Sequence, residues 1–314
     1  MKKVLGFLID FQKKYFEWKL YLTLAFFLAL SITLNYHLDF EDTYIDSVEG
    51  TPTHWLYMFL WQGVPFLMIS LVISLFTPHK EWLRSSRFWL TFIIGFGICG
   101  FDRSFYFHEY PINHFLEGSD RYFIRHCVRW CSSLLVMVTP LLLLSRYFEP
   151  KEDRIYFGLA NRKFDPRPYF TMLGIALVFI GIGSFFSDIQ EYYPRYLRSS
   201  GPHFSHIHDF PAWISMGIYE LCYGADFLGV EIFFRGFLVL AFYRFLGGYA
   251  VLAMISTYCF LHFGKPMPEA ISSIFGGYIL GIVSLYTRSI WGGVIIHVGI
   301  AWAMELFGYL HRLI

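Results

Sequence analysis

The chain has 314 residues, 56% of them apolar and 21% aromatic, with only 16% charged, against about 25% in an average soluble domain. A soluble globule of this size has no interior large enough to hide that much apolar surface, and the same composition excludes a disordered chain. The near balance of 25 basic and 24 acidic residues argues against a nucleic-acid binder, which carries a basic excess. The composition describes a polytopic membrane protein.

The first residues, MKKVLGFLIDFQKKYFEWK, begin like a signal peptide, but the apolar run ends at Asp10 and no small-residue cleavage site follows. They read as a basic, amphipathic cytoplasmic lead-in. Charge-free stretches then recur at 20–36, 55–77, 88–101, 130–145, 168–187, 249–261, 270–287 and 289–304. A crossing helix needs about 20 apolar residues, and flanking aromatic or snorkelling basic residues extend the shorter runs. A further long stretch, 212–246, is apolar but carries Glu220, Asp226, Glu231, Arg235 and Arg244. The expected fold is an all-α membrane bundle of eight or nine transmembrane helices. The 212–246 stretch exceeds the membrane thickness, so it must tilt, bend or break, with Gly224 and Gly229 as the expected places.

Segments 1–19, 78–87 and 146–167 hold five, three and six Lys or Arg, whereas 37–54, 102–129 and 188–209 hold none, four and two. This bias places the N-terminus in the cytoplasm, and a bacterial inner (plasma) membrane is the expected location. The five acids of 37–54 suit the outer face. The charged stretch 146–168 marks a soft boundary between an N-terminal four-helix half with its basic lead-in (1–167) and a C-terminal half (168–314). Cys99, Cys127, Cys131, Cys222 and Cys259 are odd in number, lie in or beside apolar stretches and form no CxxC pair, so they read as small buried residues.

Ionisable groups inside apolar helices are costly and mark functional sites. Three clusters stand out: Val230–Phe237, with Glu231 and Arg235; Tyr258–Pro266, with His262 and Glu269 just beyond; and Ser289–His297. Glu231 and Arg235 are four apart and share a helix face. The Gly247-Gly248 turn makes 212–246 and 249–263 an antiparallel hairpin, in which Glu231 and His262 both lie roughly 20–25 Å from the turn, level with one another. His297, nine residues past Arg288, reaches that depth only if the 287–290 turn is recessed. Plainer roles compete with chemistry here. Glu231 and Arg235 suit a buried ion pair that locks helices, and a single histidine suits helix packing. Gly277 and Gly281 form a small-residue packing face. His203, His206, His208 and Asp209 read as solvated loop residues before a metal site. Asp226, one turn before Val230, is a second carboxylate candidate.

In order, these motifs resemble the CPBP intramembrane proteases, the CAAX-processing and bacteriocin-processing group. That signature runs Glu-Glu-x-x-x-Arg, then Phe-x-x-x-His, then His-x-x-x-Asn or Asp. Glu231 and Arg235 match the second Glu and the Arg, His262 the middle histidine and His297 the last, over about 220–312. Val230 stands in the first Glu position, Tyr258 replaces the Phe and Ala301 replaces the Asn or Asp. The resemblance implies an integral-membrane endopeptidase of the glutamic type that hydrolyses a peptide bond at or within the membrane. In that reading Glu231 activates water, His262 and His297 hold the water or the oxyanion, and Arg235 orients the acid. Such a site needs no cofactor, with zinc the alternative on a Glu, His, His set. The implied partners are a membrane-associated peptide or protein substrate and the lipid bilayer. The competing function is a catalytically inactive relative that binds a membrane peptide as a scaffold. A transporter would show paired inverted repeats, and none is visible.

Overall fold

The computed structural model describes residues 2–149, 151, 154–160 and 164–312. Positions 150, 152–153 and 161–163 of the charged 146–167 stretch lie outside the described residues. In chain order the helices are α1 (Lys2–Tyr15), α2 (Trp18–Leu38), α3 (Pro52–Phe76), α4 (Ser86–Arg103), α5 (Glu109–Phe115), α6 (Gly118–Ser133), α7 (Thr139–Phe148), α8 (Arg167–Gly183), α9 (Ser187–Tyr192), α10 (Gly201–Ile207), α11 (Ala212–Glu231), α12 (Tyr243–Leu246), α13 (Ala250–Phe260), α14 (Met267–Thr287) and α15 (Trp291–His311). There is no strand among the described residues.

Six helical runs among the described residues are long and apolar enough to cross a membrane: Trp18–Leu38, Pro52–Phe76, Gly118–Phe148, Ala212–Phe260, Met267–Thr287 and Trp291–His311. A seventh is reached if Arg167–Gly183 and Ser187–Ile207, bent by 99° at their junction, form one broken span. The expected all-α membrane bundle is found, with six or seven runs distinguished by length and composition where eight or nine crossings were expected. Two causes are visible. The 88–101 stretch sits in α4, which carries Arg87, Asp102 and Arg103 within its 18 residues and is too charged to qualify. The 212–246 and 249–261 stretches join in one 49-residue helical run. At 1.5 Å per residue that run would extend roughly 70 Å, far beyond a hydrocarbon core. It folds back at Gly247–Tyr249, so that the Ile232–Ala241 segment packs against α13.

Helix α13 is the centre of the bundle. All eleven of its residues are buried, as expected of a helix that is apolar on every side, and it packs against α3, α14 and the Ile232–Ala241 segment. The expected small-residue face allows the close approach. A Cβ on Gly277 would lie 2.9 Å from the Tyr258 ring, and one on Gly281 would lie 2.7 Å from Met254. The amphipathic α1 does not stand apart. It buries Val4, Phe11 and Tyr15, stacks Phe7 on Tyr286 and sets Phe11 edge-on to Tyr278 of α14.

The long run does not break at Gly224 or Gly229. It stays α-helical to Glu231 and then becomes π-helical over Ile232–Ala241. The two glycines serve close packing instead, Gly224 against Trp302 and Val298, Gly229 against Met137 and Ser133. π-Helical turns are rare and concentrate at functional sites.

Candidate active site

Glu231 and Arg235 are both 0% exposed, and Arg235 Nη1 lies 3.1 Å from Glu231 Oε1. The same oxygen accepts a 2.6 Å hydrogen bond from His297 Nδ1 on α15. A carboxylate only accepts, so this bond puts the proton on Nδ1; in the neutral ring Nε2 is then the acceptor. The Tyr258 hydroxyl bonds to that nitrogen. A chain Glu231–His297–Tyr258 therefore links three helical elements inside the bundle.

Tyr258 does more than close that chain. The Arg235 guanidinium lies over its ring, 4.1 Å from the centroid, a cation–π contact that is worth most where water is absent. Its backbone carbonyl accepts a 2.9 Å bond from His262 Nδ1, and its ring lies 4.6 Å from the His262 ring and 5.8 Å from the His297 ring. His262 thus has Nδ1 engaged and presents Nε2. The Tyr36 hydroxyl donates to the Lys265 carbonyl at 2.7 Å and Asn35 Nδ2 to the Phe263 carbonyl at 3.4 Å. The end of α2 thereby pins the turn that carries His262.

The depth mismatch at His297 is resolved by a recessed turn. Ser289 and Ile290 are buried, and Ile290 N–H donates to the Gly158 carbonyl while Trp291 Nε1 donates to the Leu159 carbonyl. The 155–160 segment covers this turn and reaches the π-helical segment, where a Cβ on Gly236 would lie 2.5 Å from the Phe157 carbonyl oxygen.

Three residues take a part in the site that the sequence did not assign them, although Tyr258 and Gly293 lie inside the clusters named from it. Gly293 lies against the carboxylate, and a Cβ there would be 1.8 Å from Glu231 Oε2. The Phe227 ring stacks on His297 at 5.4 Å. The third is the Tyr258 hydroxyl itself. Each stands one helical turn before a motif residue (227 and 231, 258 and 262, 293 and 297), and that spacing is the signal that finds them.

Other candidates go elsewhere. Asp226 accepts a 2.8 Å bond from Ser133 and lines a separate polar cavity. His208 pairs with Asp120 at 3.0 Å. Among the described residues no group of three His, Cys, Asp or Glu is disposed to hold a metal ion. His297 has both ring nitrogens engaged, so the Glu231, His262, His297 set does not fit zinc, which takes a free lone pair from each histidine. The five cysteines are free thiols. Lys265 and Glu269 form an ion pair at 3.3 Å beside the His262 turn, and burial of Tyr258 (2% exposed) leaves the polar cluster shielded.

The fold and the cluster together define a multi-pass integral membrane protein with an ionisable centre in its core. Residues 204–303, which include all four motif residues, match the family described as type II CAAX prenyl endopeptidase Rce1-like. The resemblance drawn from the motifs is thus found again over that segment, just under a third of the chain. No curated protein and no solved structure matches this chain.

Proposed function

We propose that this protein is an integral-membrane peptidase that hydrolyses a peptide bond at or within the membrane with water activated by Glu231. The observation that carries the reading is the 2.6 Å bond from His297 to a fully buried Glu231, inside the segment that matches the peptidase family. Glu231 Oε1 is taken by Arg235 and His297, while Oε2 has no partner among the described residues. Oε2 is therefore the atom that takes the proton of the attacking water and later returns it to the leaving amine. His262 Nε2 orients that water. The Tyr258 hydroxyl gives its one proton to His297 Nε2 and so holds that imidazole in the tautomer that donates to Glu231. Arg235 keeps the carboxylate in place. Val230 in the first acid position leaves water activation to Glu231 alone. No metal takes part in this scheme. The Lys and Arg distribution supports a cytoplasmic N-terminus.

A prenylated C-terminal CAAX peptide is the first substrate to try, from the description of the matched family. Purified protein in liposomes is incubated with that peptide and its unprenylated form, and products are identified by mass spectrometry. Cleavage is expected, with Glu231→Gln lowering it by about 10²–10⁴-fold, the usual cost of losing a general base. Cleavage unchanged in a folded Glu231→Gln protein overturns the proposal.

The second reading, an inactive relative that binds a membrane peptide, has its own observation. Arg235 holds Glu231 in an ion pair with no exposure at all, and Ala301 lies buried near Tyr219 and Tyr223 with no polar group to offer. In that case Glu231→Gln changes stability but no cleavage, because there is none.

A further inference from the structure

A second polar region lies on the other side of α11 from the motif residues. It is a cavity of about 540 Å³ between the start of α3, the end of α4, α6 and α11. Its walls carry Arg103, Arg129 and Arg195, and among the described residues none of these has a carboxylate within 4 Å of its guanidinium. Arg129 instead donates to the backbone carbonyls of Asp102 and Arg103, both at 3.2 Å. Arg195 stacks over Trp130 and Tyr192, 5.2 and 5.1 Å from their centroids. Arg103 Nε and Trp130 Nε1 are buried donors with no acceptor among the described residues. Buried donors of this kind are costly unless something accepts from them.

The acids of the cavity are arranged differently. Glu109 lies 3.9 Å from Arg125, and Asp226 is held by Ser133. Asp102 is 1% exposed, and its Oδ1 has no donor among the described residues. Glu49 completes the set, so arginines and carboxylates are equal in number around the cavity. A polyanion would be repelled by half of this wall, and a simple cation by the other half. A phosphate that carries its own amine satisfies both, with guanidinium and indole N–H groups on the oxyanion and a carboxylate on the ammonium.

The position points to the source. Residues 104–106 and Glu109 line the cavity, and next to them in the chain Phe107, Tyr110 and Phe115 are exposed. Exposed aromatics at a helix end are typical of the headgroup level of a bilayer. We propose that this cavity binds the headgroup of a phosphatidylethanolamine-type lipid, with Arg103, Arg129, Arg195 and Trp130 on the phosphate and Asp102 on the amine.

The test uses delipidated full-length protein in detergent, with native mass spectrometry and thermal shift as readouts. The probes are phosphatidylethanolamine, phosphatidylcholine, O-phosphoethanolamine and inorganic phosphate. Phosphatidylethanolamine is expected to bind at least tenfold more tightly than phosphatidylcholine, whose quaternary amine cannot donate. Arg129→Gln and Arg195→Gln should each weaken it by about tenfold or more, the range for hydrogen bonds to charged groups. Trp130→Phe removes one donor without removing the ring and should have a smaller effect. Arg121→Gln, outside the cavity, should leave binding unchanged. If the arginine variants fail to fold, Arg195→Lys and Trp130→Phe carry the test. Binding of O-phosphoethanolamine or phosphate alone, lost in the same variants, keeps the phosphate site but overturns the lipid source. Equal binding of the two lipids, binding unaffected by every cavity variant, or no binding of any probe overturns the proposal. Glu231→Gln should leave lipid binding intact, which separates this result from the peptidase reading.

Discussion

Asp226 and Glu231 stand five residues apart on one helical run, yet their surroundings differ in kind. Glu231 is sealed between Arg235, His297 and Gly293, with one oxygen engaged twice. Asp226 bonds Ser133 and faces a cavity in which Arg103, Arg129 and Arg195 have no carboxylate within 4 Å among the described residues, while Arg125 pairs with Glu109. The difference teaches that burial of a charge in a membrane helix does not by itself mark chemistry. At Glu231 the neighbours fix the carboxylate and its tautomeric partner and leave one buried oxygen without a hydrogen bond among the described residues. Around Asp226 the neighbours are left with donors to satisfy, which suits binding. Both residues lie in the α-helical part of the run, where a separation of five residues turns their side chains about 140° apart, so that one meets Ser133 and the other His297.

The comparison can be broken most severely at Gly293. A methyl there would lie 1.8 Å from Glu231 Oε2, so Gly293→Ala must displace the carboxylate or α15. Cleavage should fall by about 10²-fold, the usual result of misplacing a reacting group by an ångström. Overpacking should also cost about 1–3 kcal/mol, read by denaturant unfolding in detergent.

Asp226→Asn sharpens the contrast from the other side. The amide oxygen still accepts from Ser133, so stability should change by less than about 1 kcal/mol and peptide cleavage by no more than a few-fold. A loss as deep as that of Glu231→Gln would move the catalytic carboxylate to Asp226.

The smallest effect is expected in the loop that caps the His262 turn. Glu41 lies against Gly264, where a Cβ would be 2.8 Å from its Oε2. Burial, then Asp46 and Asp42, push its pKa up from 4.5 to about 8. Asp46 is raised to about 6, by burial and then by Glu49 and Asp42. An acid raised in the folded state keeps its proton there after the unfolded chain has lost it. Stability from Glu41 therefore declines as pH rises from 4.5 to about 8 and is level outside that window. Glu41→Gln should flatten the upper part of this slope, between pH 6 and 8, in a thermal unfolding series. An unchanged slope would show that Glu41 does not titrate in that range.

Much of the site was legible because it follows local periodicity. The i,i+4 pairing of Glu231 with Arg235 and the hairpin at Gly247-Gly248 both come from spacing alone. The match of His297 to Glu231 needed a recessed turn, and the structure supplies one through the 155–160 segment, a long-range contact with no local signature. The same holds for Asn35 and Tyr36, which pin the His262 turn from more than 220 residues away in sequence. The π-helical segment was not legible either, because nothing in IFFRGFLVLA separates a wider turn from an ordinary α-helical one. The number of spans was less legible, because the 212–246 and 249–261 stretches form one folded helical run and α4 carries charges at both ends of its apolar middle. In the motif Tyr258 stands where the resemblance expects Phe. Only the placement of His297 gives its hydroxyl a partner.

The central claim is that Glu231 is a base as well as half of an ion pair, and a paired set of variants tests it directly. Glu231→Gln should lose cleavage by about 10²–10⁴-fold and, by stranding Arg235, about 3–5 kcal/mol of stability. The double change Glu231→Leu with Arg235→Met removes both charges and should regain most of that stability while remaining inactive toward the prenylated peptide. Stability restored with cleavage still absent is the predicted result. A stable double variant that cleaves at the unaltered rate would contradict the account.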